Sequence, residues 1–290
     1  MKDNKKGIVT AVKGLVVGST MMVPGVSGGS MAMILGVYDR LIHSVSSFFE
    51  DIRENIKFLF TFCIPALFGI LLFARPLESL INAYEKPMMF FFIGIVLGGC
   101  PLIFKEAGIQ KVSWREVINL AIGAMIVVAI SFLPENLFAG TSGGIGGFMV
   151  LFIGGIIVSI ALILPGISVS YMLLVLGIYQ GVLQAVGKLD IPYLLPLAIG
   201  LIAGIIFLTR FLEIAMKRFP KPTYMIILGF VLGSVGQVFP GMPTGIEILI
   251  CLVLGVTGFV LIYFLSKLEE QKTKESVNEP KTPKTSDVSF

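Results

Sequence analysis

Two short stretches of the sequence combine Pro, Gly and Ser at the same spacing. Residues 22–42 read MVPGVSGGSMAMILGVYDRLI, and residues 163–183 read ILPGISVSYMLLVLGIYQGVL. Pro ends a helix, Gly permits a tight turn, and Ser caps the start of a new helix. The free backbone N–H groups at a helix start, with the helix dipole behind them, attract anions. Each stretch is therefore predicted to be a break between two helices that offers an anion site.

The candidate anion-binding residues are the Pro, Gly and Ser residues of both stretches. They are Pro24, Gly25, Ser27, Gly28, Gly29 and Ser30 in the first copy, and Pro165, Gly166, Ser168 and Ser170 in the second. Small side chains let a phosphate approach the backbone closely. The second copy lacks the Gly pair, so the two sites are not expected to be equivalent. The alternative is that each Pro-Gly pair only kinks a helix, which the Ser then caps.

Two Arg–Glu pairs at matching positions, Arg75 with Glu78 and Arg210 with Glu213, are further candidates. Arg forms bidentate contacts with phosphate, and a Glu beside a partly dry cavity can carry a proton. The Arg residues are therefore candidates for guiding an anion, and the Glu residues for proton coupling. The alternative is that each pair is an interfacial ion pair whose side chains extend to water.

The other polar residues indicate no catalytic chemistry. His43 is the single His and is interpreted as an ordinary loop residue, within a charged segment, 39–57, that is interpreted mainly as solvated. The three Cys residues have no metal-binding spacing, and neither a Walker loop nor paired carboxylates occur in the sequence. No metal, cofactor or catalytic residue is therefore expected, and the protein is not expected to be an enzyme.

The elements that must position these residues are membrane-spanning helices. Hydrophobic residues make up 56% of the 290 residues, charged residues only 14%, and the mean hydropathy is +0.94. This composition excludes an ordinary soluble protein and predicts an all-α polytopic membrane protein. The predicted spans are 58–74, 88–104, 117–133, 193–209, 224–239 and 246–265, and the two broken units are 14–42 and 147–183.

The two broken units differ in the length of their arms. In the first unit, Lys13 and Pro24 leave too little helix on either side of the break for a full crossing, which favours a re-entrant hairpin. The arms of the second unit are longer, so two full crossings of the membrane remain an alternative there. In both cases the broken unit crosses the membrane an even number of times, or not at all.

The two halves of the chain resemble each other, which indicates an internal duplication. Residues 24–45 laid on 165–186 give 8 identities in 22 positions, and residues 69–99 laid on 204–234 give 11 in 31, with Arg, Glu, Lys and Pro in register. Shared hydrophobicity does not explain matched charges. We predict a first repeat at 1–135 and a second at 136–265, each with one broken or re-entrant hairpin and three transmembrane helices.

The halves are predicted to have inverted topology, because each crosses the membrane an odd number of times. If the N-terminus is cytoplasmic, the predicted inside segments carry 19 of the 22 Lys and Arg residues, and the outside segments only Arg75, Lys86 and Lys188. Both termini are therefore expected in the cytoplasm. The basic residues are explained by topology, so nucleic acid is not an expected partner. The polar tail 266–290 is expected to be disordered.

The motifs then resemble a known family. GLVVGSTMMVPGVSGGSMAMILGVYDRLI, its echo LPGISVSYMLLVLGIYQGVL and the paired G-x-V-L-G stretches resemble the bacterial and archaeal membrane family that was long filed as a domain of unknown function. Its characterised members are the PopT-type polyprenyl-phosphate transporters. The resemblance covers roughly residues 7–265 and leaves the tail outside it.

The resemblance implies a function for the predicted sites. It implies a flippase of the cell membrane that returns undecaprenyl phosphate, the lipid carrier of cell-wall synthesis, from the outer to the inner leaflet. A polyprenyl monophosphate suits an anion site at membrane depth, because its chain can remain in the lipid. Alternating access with proton or ion coupling is expected. The alternatives are a membrane enzyme acting on polyprenyl phosphates, or a transporter of a small soluble anion.

Overall fold

The computed structural model describes residues 2–21, 28–109, 111–137 and 144–278, and their regular secondary structure is entirely helical. The helices are α1 (Lys2–Thr20), α2 (Gly28–Ile34), α3 (Tyr38–Ser46), α4 (Ile52–Ala83), α5 (Glu85–Glu106), α6 (Trp114–Ser131), α7 (Gly144–Ile163), α8 (Val169–Leu176), α9 (Tyr179–Lys188), α10 (Ile191–Arg218), α11 (Pro220–Val238) and α12 (Glu247–Asn278).

Six helices in the described part of the chain are long and apolar enough to cross a membrane. They lie at Ile52–Phe73, Glu85–Glu106, Trp114–Ser131, Gly144–Ile163, Ile191–Arg218 and Glu247–Leu265. α8 and α9 together form a seventh, bent candidate, with 110° between the two helices. The prediction of an all-α polytopic membrane protein is confirmed. α11 covers the predicted span 224–239, but Lys221 and Gln237 lower its hydropathy and it is not among the six.

Helix packing follows one scheme in both halves of the chain. α1 packs along α4, and α7 packs along α10 in the same way. The remaining long helices pair across the two halves. α5 packs along α12, and α6 packs along α11. Glycines lie at these contacts, where a side chain would collide with the facing backbone, as at Gly14, Gly94, Gly200 and Gly229. Close packing through small residues is the usual means of helix association in membranes.

The two broken units share a local geometry that the G-x-Y motif sets. Gly36 follows α2 with φ +63°, and Gly177 follows α8 with φ +74°. Gly adopts this left-handed conformation without steric cost, so each short helix ends at the Gly and a new helix begins at the Tyr. α2–α3 and α8–α9 are therefore equivalent helix pairs with the same turn between them.

The charged residues of the segment 39–57 are exposed, as expected. Within this segment α3 packs against α10 and buries Ile42 and Ser44. One expectation about a polar segment is wrong. The tail is not irregular throughout, because α12 continues to Asn278. Glu, Gln and Lys in 266–278 are good helix formers and extend the preceding span. The last part of the tail, 279–290, lies outside the described residues.

Candidate functional site

The described parts of the two broken units meet in space. Gly29 in α2 packs against the end of α7, where a Cβ atom would lie 2.9 Å from the Ile163 carbonyl oxygen and 3.4 Å from the Pro165 nitrogen. Tyr38, the first residue of α3, donates a hydrogen bond from its hydroxyl to the same Ile163 oxygen at 3.0 Å. The described part of the first unit, α2 and α3, therefore lies against the break of the second unit.

At the second break one helix ends, the chain makes a tight turn and a new helix begins, as the residues predict. α7 ends at Ile163, Pro165 is fully buried, and Gly166 takes φ +84° with its Cα against the Phe230 carbonyl of α11. Ser168 then caps α8, because its Oγ accepts a hydrogen bond from the Tyr171 N–H at 3.4 Å. The predicted break and Ser cap are confirmed for this copy.

The start of α8 keeps two backbone donors available. Among the described residues, no hydrogen bond engages the N–H groups of Val169 and Ser170, and helix geometry gives them no acceptor within α8. Hydrogen bonds from the loop after α6 hold the C-terminal end of α8. Asn136 and Leu137 donate their N–H groups to the Leu174 and Val175 carbonyls at 3.1 and 2.9 Å. α8 is thus anchored at its C-terminal end, while its N-terminal end retains free donors beside the break.

The remaining break residues have varied environments. Ser30 is buried within α2, Gly28 lies against the Met21 side chain, and Ser170 is exposed on α8. The predicted site residues Pro24, Gly25 and Ser27 lie outside the described residues. Among the described residues, the structure therefore brings Gly29 of the first unit together with Ile163 and Pro165 of the second.

The two Arg residues are not part of this contact. Arg75 on α4 and Arg210 on α10 have exposed side chains, and no hydrogen bond joins either guanidinium to a described residue of the breaks. Arg210 also makes no ion pair with Glu213 among the described residues. The interpretation of this pair as an interfacial ion pair is therefore wrong.

Glu213 is instead the centre of a polar cluster between α3 and α10. Its Oε1 lies 2.6 Å from His43 Nδ1 and 2.6 Å from Lys217 Nζ. Its Oε2 accepts a hydrogen bond from Ser46 Oγ and a longer one, at 3.4 Å, from Ser47 Oγ. The Glu213 side chain is only 10% exposed, so these partners replace the water that a carboxylate needs.

A second polar contact joins α3 to α11 beside this cluster. The Tyr224 hydroxyl donates a hydrogen bond to Asp39 Oδ2 at 2.6 Å. Sequence reasoning missed Asp39, His43, Ser46 and Tyr224, because nothing local marks a partner that lies more than 160 residues away. Only Tyr38 could have been found from the sequence, because the G-x-Y motif places a Tyr at the same point of both copies.

Two cavities flank α5. One, of about 430 Å³, lies between the end of α4, the start of α5 and the end of α11, and is lined partly by Asn82, Glu85 and Gln237. The other, of about 550 Å³, is an apolar groove between α5 and α12 whose lining includes Phe90 and Phe259. In the described part of the chain, no group of three or more His, Cys, Asp or Glu residues could hold a metal ion.

The chain matches one family model and two named relatives. The family model described as "VCA0040-like: Undecaprenyl phosphate translocase-like" matches residues 17–250. A Staphylococcus aureus protein named polyprenyl-phosphate transporter is 32% identical over 90% of this chain and 96% of its own length. A Vibrio cholerae protein with the same name is 28% identical over 81% of this chain and 78% of its own. No solved structure matches the chain.

Proposed function

The chain belongs to the undecaprenyl phosphate translocase-like family, and we propose that it carries a polyprenyl phosphate between the two leaflets of a membrane. Its relatives in Staphylococcus aureus and Vibrio cholerae bear the name polyprenyl-phosphate transporter. The observation that carries the proposal is the contact between the two broken units, in which Gly29 of α2 packs on Ile163 and Pro165 at the second break. Paired discontinuous helices that meet within a helical membrane protein are the usual location of a transported ligand.

In this proposal the phosphate binds between the two breaks. The free N–H groups of Val169 and Ser170 and the capping Ser168 offer donors to an anion, and the small residues of 24–30 let it approach the backbone. The prenyl chain stays in apolar surroundings, for which the groove between α5 and α12 is suited. Because Arg75 and Arg210 are exposed and do not contact the described break residues, they act only as guides that attract the headgroup.

The mechanism that fits this site is alternating access, in which the halves expose the breaks first to one leaflet and then to the other. We place both termini in the cytoplasm and set the direction from the outer to the inner leaflet. Glu78 and Glu213 are the candidates for proton coupling. Of these, Glu213 is the buried carboxylate whose partners have been described, so its protonation would remove the charge that holds Lys217 and His43.

Reconstitution into vesicles tests the transport. We expect purified protein to move fluorescent polyprenyl phosphate between leaflets without changing it chemically. The matched lipid control is the corresponding polyprenol, which lacks the phosphate and is not expected to move faster than in protein-free vesicles. Formation of a new lipid product would favour the membrane enzyme instead. Uptake of inorganic phosphate without lipid movement would favour the transporter of a small soluble anion.

Variants locate the phosphate in the same assay. Ser27→Ala and Ser168→Ala each remove one hydroxyl beside a break and are expected to lower the rate of movement. Arg75→Ala and Arg210→Ala are expected to raise the lipid concentration needed for half-maximal rate, because they weaken attraction rather than binding. A set of four variants with unchanged rates and unchanged half-maximal concentrations would contradict the proposed site.

A further inference from the structure

The repeat alignment gives counterparts in the other half for three residues of the Glu213 cluster and for Asp39 of the neighbouring contact. Residues 24–45 align with 165–186, and 69–99 align with 204–234, so α3 corresponds to α9 and the end of α10 to the end of α4. Glu213 and Lys217 correspond to Glu78 and Asn82. On the short helices, Asp39 and His43 correspond to Gln180 and Gln184.

The two short helices occupy different environments despite this correspondence. α3 packs against α10, where the Glu213 cluster holds it, and Ile42 is only 4% exposed. α9 has no comparable packing on α4 in the described ranges, and Leu183, the counterpart of Ile42, is 57% exposed. One of two equivalent helices is therefore docked, and the other is not.

A cavity marks the place that α9 would fill. The cavity of about 430 Å³ is lined in part by Asn82, Glu85 and Met89. Their counterparts are Lys217, Pro220 and Tyr224. Tyr224 binds Asp39 of α3, and Lys217 binds Glu213, which in turn holds α3. α3 therefore fills this position in one half, whereas in the other half the equivalent position is a cavity that α9 does not occupy.

We propose that α3 and α9 are the two gates of the transport cycle, that Glu213 latches the α3 gate closed, and that the lipid headgroup enters through the open cavity beside α9. This proposal rests on the proposed function. Under the predicted topology the open cavity faces outward, so the protein rests ready to accept a headgroup from the outer leaflet. Glu213 is a positioning residue here: it holds α3 and does not touch the lipid.

The chemistry of the two gates explains the choice of resting state. The α3 gate closes with a carboxylate bound by imidazole and hydroxyl donors, and with the Tyr224–Asp39 hydrogen bond. Hydrogen bonds to charged groups are about twice as strong as those between neutral groups. On the α9 side the aligned carboxylate is Glu78, for which Gln184 is the aligned donor in place of His43. Asn82 replaces the cation Lys217, and Met89, which donates no hydrogen bond, replaces Tyr224. The α3 gate therefore closes more tightly than the α9 gate.

State-dependent labelling tests the proposal, first with Glu213 in place and then with Glu213 replaced. Cys63, Cys100 and Cys251 are first replaced by Ser, and the matched variants Ile42→Cys and Leu183→Cys are then labelled with a maleimide in permeabilised membranes. We expect Leu183→Cys to react at least about tenfold faster, because a closed gate excludes the reagent. We expect Glu213→Gln to speed labelling of Ile42→Cys and to slow that of Leu183→Cys. A merely structural role of Glu213 would not change the two rates in opposite directions.

Cross-linking tests the function of the gate. In the Cys-free protein, Ser46→Cys with Glu213→Cys is joined by a short cleavable thiol cross-linker, which is expected to stop lipid movement until a reductant is added. Binding of farnesyl phosphate to the cross-linked protein is expected to remain, because the α9 side stays open. The matched control, Gly187→Cys with Glu78→Cys, is expected to cross-link far more slowly.

The outcomes separate this proposal from the proposed function. Full cross-linking of the latch pair with unchanged lipid movement, or equal labelling of Ile42→Cys and Leu183→Cys, would overturn the gate and leave the transport function intact. If the Cys-free parent moves no polyprenyl phosphate although the wild-type protein does, a parent that retains one natural Cys is used. Absence of movement by the wild-type protein would refute the proposed function, whatever the labelling rates show about the packing of α3 and α9.

Discussion

Tyr38 and Tyr179 occupy the same point of the two G-x-Y motifs but make different contacts. Tyr38 is buried and donates its hydroxyl hydrogen to the Ile163 carbonyl of the other broken unit. Tyr179 is half-buried and makes no such bond among the described residues. Both Tyr residues therefore start a helix, but of these two only Tyr38 donates a hydrogen bond to the other copy within the described part of the chain.

Removal of the Tyr38 hydroxyl is expected to destabilise the contact between the breaks. Tyr38→Phe leaves the buried Ile163 carbonyl without this donor, which costs about 1–3 kcal/mol. We expect a thermal midpoint a few degrees lower in detergent and slower lipid movement. Tyr179→Phe is the matched control and should leave both measurements within error. Equal effects of the two variants would show that the Tyr38 hydrogen bond does not hold the site.

At the scale of elements, specific residues define both ends of α8. Ser168 caps its start, Gly177 ends it, and the loop after α6 binds its last carbonyls. We expect Ser168→Ala to lower the free energy of unfolding by about 1 kcal/mol, since it removes an N-cap. Ser168→Asp keeps the cap but places a negative charge beside the proposed phosphate site.

The two substitutions at Ser168 therefore separate capping from binding. Ser168→Asp should restore the thermal midpoint that Ser168→Ala lowers, but should reduce polyprenyl-phosphate movement further. Ser170→Ala, at an exposed position of the same helix, is the control for stability. If Ser168→Asp moved the lipid as fast as wild type, the phosphate would not bind at the start of α8.

Sequence reasoning was most successful for elements that local chemistry determines. The second break, its Ser168 cap and the short helix that ends at Gly177 follow from residues within a few positions of each other. Docking of α3 did not follow, because an isolated reading of His43 and Asp39 shows only polar residues near a helix end. Their partners, Glu213 and Tyr224, are distant in sequence, and only the packing of α10 and α11 brings them together.

At the scale of the whole molecule, the two halves interlock rather than stand side by side. α5 of the first half packs along α12 of the second, and α6 packs along α11. A first half that ends at residue 135 would therefore leave the glycine-lined faces of α5 and α6 without their partners. Helix pairs in membranes are held by such close packing, so neither half is a complete folding unit.

Expression of the halves tests this interlocking. We expect fragments 1–135 and 136–290 each to be degraded when expressed alone, and to accumulate as a complex when they are expressed together. The measurement is recovery of both fragments with an affinity tag on one of them. A fragment that accumulated alone as a monodisperse species in detergent would mean that its own helices bury their glycine-lined faces in another way.

The inverted orientation of the halves is the prediction on which transport by two gates depends. Glu50 follows α3 and Lys188 ends α9, and both side chains are exposed. In the Cys-free protein, we expect an impermeant maleimide to label Lys188→Cys in intact cells and Glu50→Cys only after permeabilisation. The reason is the charge distribution, because Lys188 lies outside the segments that carry 19 of the 22 Lys and Arg residues. Labelling of both positions from the same side would place α3 and α9 on one face, where they could not serve as alternating gates.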